Sequence, residues 1–150
     1  PNDFGPSPMG EVVEQLGEGK MPMLIEGGFD WVDVRDVVEG ALAVEERGRS
    51  GESYILSGAW ASIREIAELA RECTGSRVPP TVPMWLVQLG APLMDFVGRM
   101  GLPTFYTSEM LHPLVSARQI DHSRARQELG YSPRPLRETL RDIYSGEPST

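Results

Sequence analysis

Arg35 stands between Asp33 and Asp36, where an extended stretch of the 150-residue chain gives way to a helical one. A guanidinium at such a junction can hold an anionic or hydroxylated substrate, or it can pair with Asp33, Asp36 or Glu39; the sequence leaves both uses open. Phe29 and Trp31 lie two apart and share one face of the preceding stretch. They can line a substrate pocket or fill a core, and the second is the commoner use of such residues. Tyr106 and Tyr131 are further pocket candidates, and Arg134, between Pro133 and Pro135, reads as a structural ion-pair partner. His112 and His122 are ten residues apart with no cysteine near either, which is not the spacing of a metal site. The single cysteine, Cys73, falls late in a helical stretch and reads as a small buried residue.

The elements that must position these residues follow from periodicity and punctuation. Residues 12–16 read as a short helix stopped by Gly17 and Gly19. Residues 23–25 and 29–34 read as strands flanking a Gly27-Gly28 turn. From Val34 the apolar spacing becomes helical and runs to Arg47, with Asp33 or Asp36 placed to cap or charge the first turn. Residues 53–57 read as a strand. Ser62-Ile63-Arg64-Glu65 is a capping box, and the helix it opens carries Ile63, Ile66, Ala67, Leu69 and Ala70 on one face before Gly75 ends it. Pro79, Pro80 and Pro83 make a rigid connector. Residues 84–97 are apolar and read as a helix covering a substrate lobe, with 107–114 a short helix and 116–120 a strand. Asp121 or Ser123 caps a helix over 124–129 closed by Gly130, and Pro135 starts a last helix through Tyr144. The order gives an α/β or α+β chain, mostly helices with short strands.

Composition narrows the function classes. The net charge of −8, from 14 basic and 22 acidic residues, comes without the basic stripe of a nucleic-acid binder. No apolar run reaches the roughly 18 residues of a membrane span. One cysteine permits no internal disulfide and fits a reducing cytoplasm. The opening Pro1-Asn2-Asp3-Phe4-Gly5-Pro6-Ser7-Pro8 is loop chemistry without an initiator methionine, so a piece of a longer protein is expected.

Four stretches, in order, resemble the C-terminal half of extended short-chain dehydrogenases/reductases. The likeness is to the NAD(P)-dependent epimerase/dehydratase superfamily, near dihydroflavonol-4-reductase-like proteins and hopanoid-associated sugar epimerases. They are the opening loop through Met9-Gly10; the stretch from Gly27 to Gly40 with its Val32-Asp33-Val34-Arg35-Asp36-Val37; Gly51-Glu52-Ser53-Tyr54-Ile55-Leu56-Ser57-Gly58; and the stretch from Ser123 to Leu136 with Glu128-Leu129-Gly130-Tyr131-Ser132-Pro133. The resemblance implies a Rossmann-type NAD(P)-binding parent and makes residues 1–146 its C-terminal substrate-binding part, with 147–150 a frayed tail. It places Pro1 and Asn2 at the cofactor and Ser7, Phe29, Trp31, Arg35 and Tyr106 at the substrate.

Two hallmarks of that family are missing from these residues. None of the 16 glycines is spaced G-x-G-x-x-G, and the family's Tyr-x-x-x-Lys pair would need a tyrosine where Leu16 precedes the only lysine, Lys20. The resemblance therefore implies that cofactor and catalysis belong to an absent N-terminal half, that NAD or NADP serves the parent, and that this chain binds neither tightly. A stand-alone binding module derived from the lobe is the alternative. Without the other half, Val37, Leu42, Ile55 and Leu56 are expected to be exposed and to drive self-association.

Overall fold

The computed structural model describes residues 8–83, 85–86 and 120–145. Among them lie five helices and four short strands: α1 (Pro8–Gly17), β1 (Leu24–Ile25), β2 (Gly28–Trp31), α2 (Val34–Arg47), β3 (Ala59–Ser62), α3 (Ile63–Thr74), β4 (Thr81–Val82), α4 (Ser123–Leu129) and α5 (Leu136–Ser145). They divide into two units, the first holding residues 30–61 and 120–145, the second residues 8–29 and those from 62 to 86.

The second unit is built on α3. Ser62 caps it: its hydroxyl accepts from Glu65 N at 3.2 Å while Glu65 Oε2 accepts from Ser62 N at 2.7 Å, the reciprocal box read from the sequence. Gly75 closes it at φ +75°, a left-handed cap that a Cβ would strain. The buried face is Ile63, Ile66, Ala67 and Ala70, and the small alanines let α1 pack close with Val13 and Leu16. Beneath lie Leu24 and Ile25 on β1, paired in parallel with Thr81 and Val82 of β4. The proline connector thus holds a short strand that the sequence does not announce. Cys73 is exposed rather than buried, because it falls in the last turn, past Ala70 where the apolar stripe ends.

The first unit is built on α2 and α4. Ala125, Leu129 and Tyr131 form its buried cluster, with Ala43, Val44, Tyr54 and Leu56 packed against it. Gly40 makes the approach possible: a Cβ there would come within 2.7 Å of Leu56 and 3.2 Å of Tyr131. β2 and β3 pair in a second two-stranded sheet, of which residues 30–31 and 59–61 belong to this unit. A Cβ on Gly58 would fall on the Trp31 carbonyl, so only glycine fits there.

Residues 53–57 carry no ladder, although the sequence reads as a strand. Tyr54 and Leu56 pack on the helical cluster while Ile55 is 52% exposed, and no neighbouring strand among the described residues offers a pairing edge. Leu42 and Ile55 are exposed as expected; Val37 and Leu56 are half-buried instead, because Leu56 fills the space that Gly40 leaves on α2 and Val37 lies beside that buried face. α4 begins at Ser123, one residue earlier than read, and its N-cap is His122, whose side chain makes no capping bond. Asp121 accepts from Ser123 N at 2.8 Å and does the work of the cap. The helix read over 84–97, apart from its helical residues 85–86, the helix over 107–114, the strand over 116–120, apart from residue 120, and the tail over 147–150 lie outside the described residues.

Candidate functional site

The chemistry-bearing residues of the first unit collect at the N-terminal end of α2. Asp33 is its N-cap and accepts from Arg35 N at 2.9 Å. The same carboxylate takes a bidentate fork from the Arg35 side chain at 2.9 and 2.6 Å and a hydrogen bond from Thr139 Oγ1 at 2.9 Å. Arg35 also reaches Asp142 at 2.8 Å, so α5 is tied to the start of α2 through both residues. The Arg35 fork holds the Asp33 carboxyl well below the usual carboxylate range, against a smaller opposing push from burial. One turn on, buried Asp36 accepts from Arg134 N at 2.9 Å and from its Nε at 2.7 Å, with Glu39 at 3.4 Å from the same guanidinium. Arg134 thus has the ion-pair role the flanking prolines pointed to.

A second cluster joins strand-like and helical segments. Ser57 is buried and lies 2.8 Å from His122 Nδ1 and 3.3 Å from the Ile120 carbonyl. His122 meets the Tyr131 ring edge-on, with centroids 5.9 Å apart. Burial raises the Tyr131 phenol above its ordinary value, and the Asp36 and Asp30 carboxylates raise it further. Asp30 itself accepts from Gly58 N at 2.8 Å. The Ser57–His122 pair escaped the sequence reading because its members lie 65 residues apart with no motif joining them.

The residues singled out from sequence divide cleanly. Trp31 is half-buried and its indole N–H donates to the Ala61 carbonyl at 3.1 Å, which fixes the ring. Phe29 is half-buried in the second unit. Of the two uses open to Arg35, the structure displays pairing, with Asp33 and Asp142. Pro1, Asn2, Ser7 and Tyr106 lie outside the described residues, as does His112.

Neither the α2 nor the α3 N-terminus is open to the pyrophosphate of a dinucleotide. A pyrophosphate needs a helix N-terminus with free N–H groups and a glycine-rich approach. At α2 the Asp33 carboxylate already occupies that position, and at α3 the Ser62–Glu65 box does. Among the described residues no group of three or more histidine, cysteine, aspartate or glutamate side chains could hold a metal ion, and no helix is long and apolar enough to cross a membrane.

No family model matches the chain. It is 33% identical over 149 residues to sterol demethylase protein B of Methylococcus capsulatus, covering 97% of this chain and 45% of that protein. It is 30% identical over 148 residues to a protein provisionally named dihydroflavonol 4-reductase from Synechocystis, covering 95% of this chain and 43% of that one. Among solved structures, gox2253 superposes with a TM-score of 0.78 at 29% identity over 97% of this chain and 44% of that one. A nucleoside-diphosphate-sugar epimerase from Pseudomonas aeruginosa gives a TM-score of 0.70 at 26% identity over 96% and 44%. The chain thus spans less than half the length of the curated relatives it matches. It is similar to part of epimerase- and reductase-named proteins, and its fold is the α/β mix of the matching portion of those neighbours.

Proposed function

We propose that this chain is the substrate-binding lobe of an NAD(P)-dependent epimerase, dehydratase or reductase acting on a sugar nucleotide or another hydroxyl/carbonyl substrate. The observation that carries this reading is the match of 95–97% of the chain to less than half of a reductase-named relative and its neighbour. The companion half supplies the cofactor, the hydride chemistry and the Tyr-x-x-x-Lys pair. This chain's own part is to bind and orient: Trp31, fixed through its indole N–H, and Phe29 present aromatic surface, while Ser7 and Tyr106 complete the substrate contacts and Pro1 and Asn2 touch the cofactor. Arg35 holds the loop–helix junction through Asp33 and Asp142. Val34, Val38 and Leu42, spaced i, i+4, i+8 and each more than half exposed, offer an apolar stripe for the companion half to cover.

The test is a turnover and thermal-shift panel of nucleotide sugars and ketones on a polypeptide joining this chain to a half that carries the glycine-rich turn and the Tyr-x-x-x-Lys pair. One substrate class should raise the melting temperature and turn over, and Trp31→Phe should raise KM with folding kept. No turnover of any hydroxyl or carbonyl substrate by a folded protein would contradict the reading. A second reading, a free-standing binding module, draws support from the aliphatic core of the second unit, where Leu24 and Ile66 are wholly buried.

A further inference from the structure

Residues 53–57, Ser-Tyr-Ile-Leu-Ser, are held in place by side-chain contacts, without a ladder. The Tyr54 hydroxyl donates to Glu128 Oε2 at 2.6 Å and accepts from Arg49 N at 3.1 Å. Leu56 fills the space over Gly40, and Ser57 is buried against His122 and the Ile120 carbonyl. Tyr54 and Leu56 thus fix one face on the α2–α4 cluster, while Ile55 between them is 52% exposed. Among the described residues, the backbone N–H and C=O groups of 53–57 make no hydrogen bond. A segment already fixed in this way loses little further freedom when a strand pairs with it. Its unpaired backbone groups are a template for that pairing.

The segment fits a second copy of itself. Read in either direction it runs small polar, large apolar, isoleucine, large apolar, small polar. Antiparallel pairing centred on Ile55 sets Ser53 against Ser57, Tyr54 against Leu56 and Ile55 against Ile55, with both isoleucines on one face. The segment holds no charged side chain, and one position outward Glu52 falls opposite Gly58. Glu52 is also paired with Arg124, so no like charges face each other across the seam. Each strand offers the other the same surface, which is the isologous contact of a two-fold dimer.

We propose that two copies of this chain associate by antiparallel pairing of residues 53–57 about a two-fold axis at Ile55. The pairing is independent of the substrate role proposed above. Two influences oppose it. Each copy carries a net charge of −8, which repels the other at low salt. The seam is also far smaller than the about 20–30 residues a side of a standard interface, so the dimer is weak, with a dissociation constant on the order of 0.1 mM.

Sedimentation velocity and amide hydrogen exchange on the chain, from micromolar to millimolar concentration and at low and high salt, test it. The dilute chain should be a monomer and the concentrated chain mostly a dimer, with nothing larger. Salt should strengthen the dimer by screening the like charges. Exchange of the Ile55 amide should slow as concentration rises. Ile55→Lys, at an exposed position, sets like charges directly opposite each other; it should weaken the dimer about tenfold and leave the melting temperature of the dilute chain unchanged. Ile55→Thr keeps the strand preference and should weaken it only about threefold. A monomer at millimolar concentration in both salts, assemblies growing past the dimer, or unchanged association of Ile55→Lys would overturn the proposal. So would association that Leu42→Lys abolishes and Ile55→Lys does not, which would put the contact on the α2 stripe. Protection of 53–57 that does not vary with concentration would mean that the same chain covers the edge, and would overturn it as well.

Discussion

In the second unit the largest wholly buried side chains, Leu16, Leu24, Ile25 and Ile66, are aliphatic. The first unit closes around Leu129 and Leu140 but also holds the buried carboxylates of the described residues, Asp33 and Asp36, together with buried Ser57. Burying a carboxylate is unfavourable unless it is paired and hydrogen-bonded; here Asp33 takes a fork from the Arg35 guanidinium, and Asp36 takes the Nε–H and the backbone N–H of Arg134. The second unit therefore draws its stability mainly from transfer of apolar surface, which is indifferent to pH, with a titrating contribution from the Glu65 carboxylate that its bonds with Ser62 hold below the ordinary value. The first depends on geometry between charges, which is not indifferent to pH.

Ile66→Ala breaks the aliphatic side of this comparison hardest. The side chain is wholly buried against α1 and β1, so the expected loss is about 4 kcal/mol, read by denaturant unfolding. A loss below about 1 kcal/mol would mean the second unit is loosely packed. Arg134→Met comes next, with an expected loss of about 3 kcal/mol, because Asp36 stays buried with its partner gone. Replacing both residues, as Asp36→Leu with Arg134→Met, should recover much of that loss, which separates a lost pair from lost packing.

Acid should then tell the two units apart. The folded Asp33 carboxyl titrates below its unfolded value of about 3.9, so its contribution is complete above that value and fades as pH falls beneath it. Amide signals of the first unit, such as Gly130, should be lost at higher pH than those around Ile66, and Asp33→Asn should remove the difference. Simultaneous loss in the parent chain would dissolve the distinction. The smallest effect expected is at the α3 cap, where Ser62→Ala should cost about 1 kcal/mol and lower the melting temperature by a few degrees.

What the sequence displays and what it hides follow the same division. α3 is legible because its signals are local: a capping box, an apolar stripe and a terminal glycine lie within 14 residues. α2 is legible from the change of period at Val34 and from Asp33. The strand expected over 53–57 shows the limit, since Tyr-Ile-Leu gives a strand preference but a ladder needs a partner that local sequence cannot supply. The charged frame is hidden for another reason. Asp36 and Arg134 are 98 residues apart, and Asp33 and Thr139 are 106 apart, so their pairing is a property of the fold. Arg35 sits between these cases: its acidic neighbours are visible in sequence, yet Asp142 is not, and the pairs it makes with Asp33 and Asp142 tie α2 to α5.

On the proposed function, this chain supplies a substrate lobe and leaves the cofactor to another half. Calorimetric titration of the purified chain with NADH and with NADPH tests it most directly. With the α2 and α3 N-termini occupied by Asp33 and the Ser62–Glu65 box, no heat of binding is expected for either nucleotide up to millimolar concentration. A saturable isotherm with micromolar affinity for either one would contradict the claim.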